Sequence, residues 1–260
     1  MLAHVNKHER DEAITFYEPT HTYTVAGDRS KYTSCTTYNA QHFSAFDSRA
    51  VIQGMKQSAR WPESKYYGMS DDEIVALWSK SGKEASAAGT ELHYYIECLL
   101  NKSGCCWEVR ERLLQSDAVC LKYIDNFIKA NPGLHAYRTE WMIYNEDLKI
   151  AGSIDAVFRN PDGSFAIYDW KRSKEIKKTA FGNKWATTEC ISHLPDSNYW
   201  KYALQLNVYK AILEEKYGLV VSELYLVVFH PANKDYIKIK MPVLADEIKS
   251  LFSLRREQLV

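Results

Sequence analysis

Residues 151–171 leave the chain little conformational choice. Val, Ile and Phe are dense on both sides of Asn160, Pro161, Asp162 and Gly163, a cluster of turn formers, so the stretch reads as a β-hairpin. With Pro161, Asp162 and Gly163 as a three-residue loop and Gly163 left-handed, Asn160 faces Ser164. That register sets Asp155 opposite Asp169. Lys171, two residues further on, shares their face because strand side chains alternate. Facing carboxylates repel, and their apolar neighbours solvate both charges poorly. A divalent cation would remove the repulsion, and the lysine would help to balance the charge. On the hairpin alone, two readings stand: a solvated strand face with an Asp–Lys ion pair, or a cation site.

Thirty-three basic residues match thirty-three acidic ones, so no global basic field exists and a nucleic-acid partner must be held by local patches. The chain of 260 residues, 46% hydrophobic and 25% charged, is long enough for a substantial core. The six cysteines form no C-x-x-C pair, which argues against a zinc ribbon or disulfide framework and for reduced thiols inside a cell. No apolar run approaches a membrane span, and the first residues lack the apolar core of a secretory signal. The expectation is a soluble, intracellular protein with no membrane partner.

In chain order, residues 14–17 and 21–25 predict a hairpin, and the hydroxyls at 33–37 predict a capped helix start. Phe43, Phe46, Val51, Ile52 and Met55 follow at near-helical spacing, ending at Trp61-Pro62. Ser70, Asp71, Asp72 and Glu73 form a capping-box start. Residues 83–100 favour a helix on which His93 and Glu97 share a face. A single helical histidine is usually structural or exposed, and a metal ligand less often. Residues 107–130 read as one helix, stopped by Asn131, Pro132 and Gly133.

A strand over 135–145 brings Glu140 near the hairpin, either into the acidic site or, the favoured reading, as a salt-bridged edge residue. Residues 172–185 are polar and locally basic, with Phe181 and Trp185 interleaved. They read as a solvated loop or as a groove wall that grips phosphates. Residues 197–218 form an amphipathic helix with Tyr202, Gln205 and Tyr209 on one face. A strand over 223–230 and a helix over 243–259 close the chain.

Four short motifs occur in order: Gly89-Thr90-Glu91-Leu92-His93, Gly152-Ser153-Ile154-Asp155, Asp169-Trp170-Lys171 and Gln205-Leu206-Asn207-Val208-Tyr209. Together they resemble the RecB-like branch of the PD-(D/E)xK nuclease superfamily. The resemblance spans about half the chain. It implies an α/β fold with a restriction-endonuclease-like core, a central mixed sheet flanked by helices, and an N-terminal helical or irregular extension. The expected division is an extension over 1–80, shaped to guide DNA, and a nuclease core over 81–260.

Carried over by position, the resemblance makes His93, Asp155, Asp169 and the Trp170 backbone carbonyl ligands of one or two Mg2+ or Mn2+ ions. Lys171, catalytic with Asp155 and Asp169, would orient or activate the attacking water and offset phosphate charge. Gln205 and Tyr209 would brace the site and contact nucleic acid, together with Arg172 and Lys174. Glu97 and Glu140 are further candidates. Some relatives hold an iron–sulfur cluster through cysteines beyond the Gln–Tyr helix; here no cysteine follows Cys190, so none is expected. No Gly-x4-Gly-Lys-[Ser/Thr] motif occurs, so no fused motor is expected.

The implied activity is a metal-dependent deoxyribonuclease, most often an exonuclease, acting on DNA ends or single strands in replication, repair or recombination. A structure-specific endonuclease, an RNase, or an inactive nucleic-acid-binding module on the same fold are the alternatives.

Overall fold

The structure, a computed structural model, describes residues 1–259. In chain order it runs α1 (Leu2–Val5), β1 (Ile14–Tyr17), β2 (Thr22–Val25), β3 (Thr33–Ser34), α2 (Cys35–Ala40), α3 (Ser48–Lys56), α4 (Asp71–Leu100), α5 (Cys106–Ser116) and α6 (Ala118–Ala130). There follow β4 (His135–Asn145), β5 (Ile150–Arg159), β6 (Phe165–Lys171), α7 (Asn198–Tyr217), β7 (Val221–Val228), β8 (Ile237–Lys240) and α8 (Ala245–Leu259). A small β1–β2 hairpin stands beside a six-stranded mixed sheet.

The central hairpin adopts the expected register. Arg159 pairs with Phe165, Phe158 with Ala166, Val157 with Ile167 and Ala156 with Tyr168. The Asn160 N–H donates to the Ser164 carbonyl at 2.8 Å, and Gly163 has φ +87°. β4 pairs antiparallel with β5 along its whole length. On its other edge β5 holds β3 in parallel at Ile150 and Ala151 and β6 at 156–159, so the middle of that edge is unpaired. α7 then crosses over to set β7 parallel to β6, and β8 closes the sheet antiparallel.

Both faces are covered, which makes three layers. Ile167 of β6 packs with Leu204, Val208 and Ile212 of α7 and with Leu251 of α8. Alternate residues Ala166, Tyr168 and Trp170 face Leu92 and Ile96 of α4 and Phe127 of α6. This is the helix-flanked mixed sheet expected of a restriction-endonuclease-like core. The N-terminal segment is fastened to β4, because the Asp11 carboxylate accepts from Trp141 Nε1 at 2.8 Å and from Arg138 at 2.6 Å.

The elements differ from expectation in three places. The helices expected near 70–78 and over 83–100 are one helix, α4, begun by a reciprocal Ser70–Glu73 capping box. Its interior glycines each cost only about 1 kcal/mol, so packing carries the helix through them and across position 80. The single helix expected over 107–130 breaks at Asp117, whose φ is −152° and whose carboxylate caps α6 through the Cys120 N–H. Over 38–60, helix stops at Ala40 and resumes only where the Asp47 carboxylate caps α3.

Candidate active site

β5 and β6 separate one step before the two aspartates would pair. The ladder stops at Ala156 and Tyr168, and the Asp155 carboxylate takes over its role by accepting the Trp170 N–H at 2.8 Å. The wedge this opens is the candidate site. Asp169 and Lys171 project from the α7 face of β6 and form an ion pair. Lys171 Nζ also lies 5.1 Å from the centre of the Tyr202 ring.

From the opposite layer α4 brings His93. Its Nε2 donates to the Trp170 carbonyl at 2.8 Å, which leaves Nδ1 facing Asp155 at 3.6 Å and Glu140 at 4.0 Å. The carbonyl expected as a ligand is thus held by the histidine. His93, Glu140 and Asp155 each offer a ligand atom, all within 4.8 Å of one another. An imidazole with carboxylate oxygens suits Mg2+ or Mn2+, with the nitrogen favouring the latter. These residues fit a divalent cation.

Glu140, read from sequence either as a salt-bridged edge residue or as part of the acidic site, lies on the edge strand β4 and beside His93 and Asp155. Among the described residues it has no lysine or arginine partner; it faces His93 and accepts from Ser153 Oγ at 3.2 Å. Its backbone φ of +42° is strained for a side chain other than glycine, at a cost of about 1–3 kcal/mol. That twist lies between the pairs Thr139–Ala156 and Trp141–Ile154, so it turns Glu140 toward Asp155 without breaking the strand. Burial first, then the Asp155 and Glu97 carboxylates, push the Glu140 carboxyl up to about 8.

Asp169, 2% exposed, is pushed up to about 6 chiefly by burial, with Lys171 pulling the other way. Burial alone would lower Lys171, but the Asp169 and Asp155 carboxylates outweigh it and hold the ammonium above its ordinary value. Lys171 is therefore a retained positive charge.

A cavity of about 700 Å³ opens over the wedge, lined among others by Gly89, His93, Glu97, Glu140, Lys171 and Arg172. Glu97 lies half-buried there, its carboxyl raised by desolvation. Glu18 and Tyr94 also line it, and no motif had pointed to either.

The residues expected on nucleic acid divide. Tyr209 is only 3% exposed, which leaves its ring no free surface for a base. It accepts from Gln205 Nε2 at 3.0 Å and packs over Gly152, where a Cβ would stand 2.8 Å from both the Tyr209 ring and Cys35 Sγ. The pair therefore packs against β5 at Gly152. Arg172 is drawn into an ion pair with Asp117 at 2.8 Å at the edge of the cavity. Lys174 is exposed.

No protein-family model matches the sequence, and no curated protein matches it. Among solved structures, the chain is similar to an alkaline exonuclease from Laribacter hongkongensis, at 12% identity and a TM-score of 0.39, over 88% of this chain and 87% of that one. It is also similar to a candidate exonuclease from Eubacterium rectale, again at 12% identity and TM-score 0.39. That match covers 66% of this chain and 65% of the other, just under two thirds of its length. Among the described residues, no helix is long and apolar enough to cross a membrane.

Proposed function

We propose that this protein is a metal-dependent phosphodiester hydrolase of the RecB-like kind, cutting DNA, and that it works from ends or single strands in replication, repair or recombination. The observation that carries the reading is convergence. Four motifs far apart in sequence meet around one wedge: His93 from α4, Asp155 from β5, Asp169 and Lys171 from β6, and the Gln205–Tyr209 brace from α7.

His93, Glu140 and Asp155 would hold a Mg2+ or Mn2+ ion, with Asp169 beside them. Such an ion, when bound, polarises a phosphoryl oxygen and makes water acidic enough to attack at neutral pH. The chain's own groups supply the rest. Lys171, kept charged by Asp169, offsets charge that develops on the phosphate and orients the incoming water. Asp155 fixes the wedge by holding the Trp170 N–H. Tyr209 and Gln205 support β5 from below through the close approach at Gly152. Residues 1–80 are proposed to guide the DNA toward this centre; that segment reaches the cavity, where Glu18 lines the wall.

The test is cleavage of labelled linear DNA by wild type, Asp155→Asn and Lys171→Ala, with Mg2+, Mn2+ or EDTA. Metal-dependent cutting by wild type alone supports the reading, and binding without cutting under every condition overturns it.

A further inference from the structure

The chain leaves β6 at Lys171, in the floor of the cavity, and enters a long connection before α7. Two large rings stand out of its first half: Phe181 is 87% exposed and Trp185 51%. Left in water, each forfeits much of the roughly 1.5–3 kcal/mol that burying a large apolar side chain contributes. Residues 172–185 hold five basic side chains against one acid, Glu175. Among the described residues Lys174 and Lys184 make no ion pair, while Arg172 is committed to Asp117 and Lys177 to Glu175.

The connection is a fixed shelf. The Asn198 side chain accepts the Lys177 N–H and donates to the Glu175 carbonyl, both at 2.8 Å. Trp200 Nε1 donates to the Lys178 carbonyl at 3.2 Å. On either side of Trp185, the Asp196 N–H donates to the Lys184 carbonyl and the Ala186 N–H to the Leu194 carbonyl, both at 2.9 Å. Between these anchors Gly182 and Asn183 take φ of +70° and +50°, a left-handed turn that carries Phe181 at its tip.

We propose that this shelf is a stacking platform for the unpaired bases of a nucleic-acid strand, with Phe181 and Trp185 as the rings and Lys174 and Lys184 beside the phosphates. The proposal rests on the nuclease reading and narrows it to a single-stranded substrate. Two arguments select this occupant. A protein-docking or self-association face needs a contiguous apolar patch, whereas Phe181 is flanked along the chain by Thr179, Ala180, Gly182 and Asn183, of which all but Ala180 are exposed. Rings alternating with cations match a strand that offers base faces and phosphates in turn, and those faces are hidden inside a duplex. The shelf begins at Lys171, so a strand laid on it leads to the cavity.

The test is fluorescence anisotropy of a labelled oligothymidylate and of a duplex of equal length, in EDTA. The proteins are wild type, Phe181→Ala, Trp185→Ala and Lys174→Ala/Lys184→Ala, with circular dichroism confirming the fold of each. Each ring variant should bind the single strand about five- to a hundredfold more weakly, with little change for the duplex. The lysine pair should flatten the salt dependence. Single-strand binding unchanged in both ring variants overturns the platform, even if wild type cuts DNA. A shift in sedimentation of wild type that Phe181→Ala abolishes would instead make the rings a self-association face. Ring-dependent binding without metal-dependent cutting keeps the platform and overturns the nuclease reading.

Discussion

The Asp155 carboxylate accepts the Trp170 backbone N–H at 2.8 Å, where the β5–β6 ladder has just ended. One side chain therefore serves the sheet and would also serve the proposed cation site. The two roles separate by substitution. Asp155→Asn keeps an acceptor for Trp170 and should hold stability within about 1 kcal/mol, whereas Asp155→Ala orphans a buried donor and should cost about 1–3 kcal/mol. Both should abolish cleavage. Urea unfolding beside a cleavage assay reads the difference.

Lys171→Ala should remove activity and leave the Asp169 carboxylate buried without its cation. That carboxyl, already raised to about 6 with the lysine present, must then rise further. A carboxyl raised in the folded state contributes most below its unfolded value of about 3.9 and loses that contribution as pH climbs through its folded value. The stability lost in Lys171→Ala should therefore be larger at pH 8 than at pH 5. A pH-independent loss in thermal melts would separate Lys171 from Asp169.

The same reasoning applies to Glu140, raised to about 8. In metal-free protein its contribution is greatest below about 4.3 and declines as pH rises toward its folded value. A divalent cation needs the deprotonated ligand, so Mn2+ should raise the melting temperature more at pH 8 than at pH 6. At a hundred times its Kd the gain is about 2.7 kcal/mol. Glu140→Gln should weaken Mn2+ binding, measured by calorimetry, by more than the roughly 10–100-fold typical of an outer-shell partner.

Gly152→Ala places a methyl group 2.8 Å from Cys35 Sγ and the Tyr209 ring. Overpacking at a buried strand costs about 1–3 kcal/mol. On the proposed bracing role of Tyr209, turnover should fall as well. Adding Cys35→Ala relieves one of the two contacts and should restore part of the stability in urea titrations.

The hairpin was legible because turn residues and strict alternation fix register together, and they bring Asp155, Asp169 and Lys171 to one end of it; the parting of the strands after Ala156 and Tyr168 was not legible. The helix-flanked mixed sheet was expected only through the resemblance that the four ordered motifs carry. Glu140 was legible only as one of two readings, because alternation does not fix which β5 residue it faces; the β4–β5 register, with Thr139 on Ala156 and Trp141 on Ile154, sets it beside Asp155. The helix break at Asp117 was hidden for a similar reason: the residue caps α6 and also anchors Arg172, a partner 55 positions away. Tyr209 reads in sequence as one ring on an amphipathic face. Its burial over Gly152 follows from how closely α7 approaches β5, which spacing along one helix cannot show.

The most direct measurement is the fate of end-labelled linear DNA beside covalently closed circles, single- and double-stranded, with Mg2+, Mn2+ or EDTA. Wild type is compared with Asp155→Asn, the variant expected to keep its fold. Expected is metal-dependent loss of linear DNA, with circles spared and both EDTA and Asp155→Asn silent. Cleavage that survives in EDTA or in Asp155→Asn would contradict a catalytic centre built on His93, Glu140, Asp155, Asp169 and Lys171.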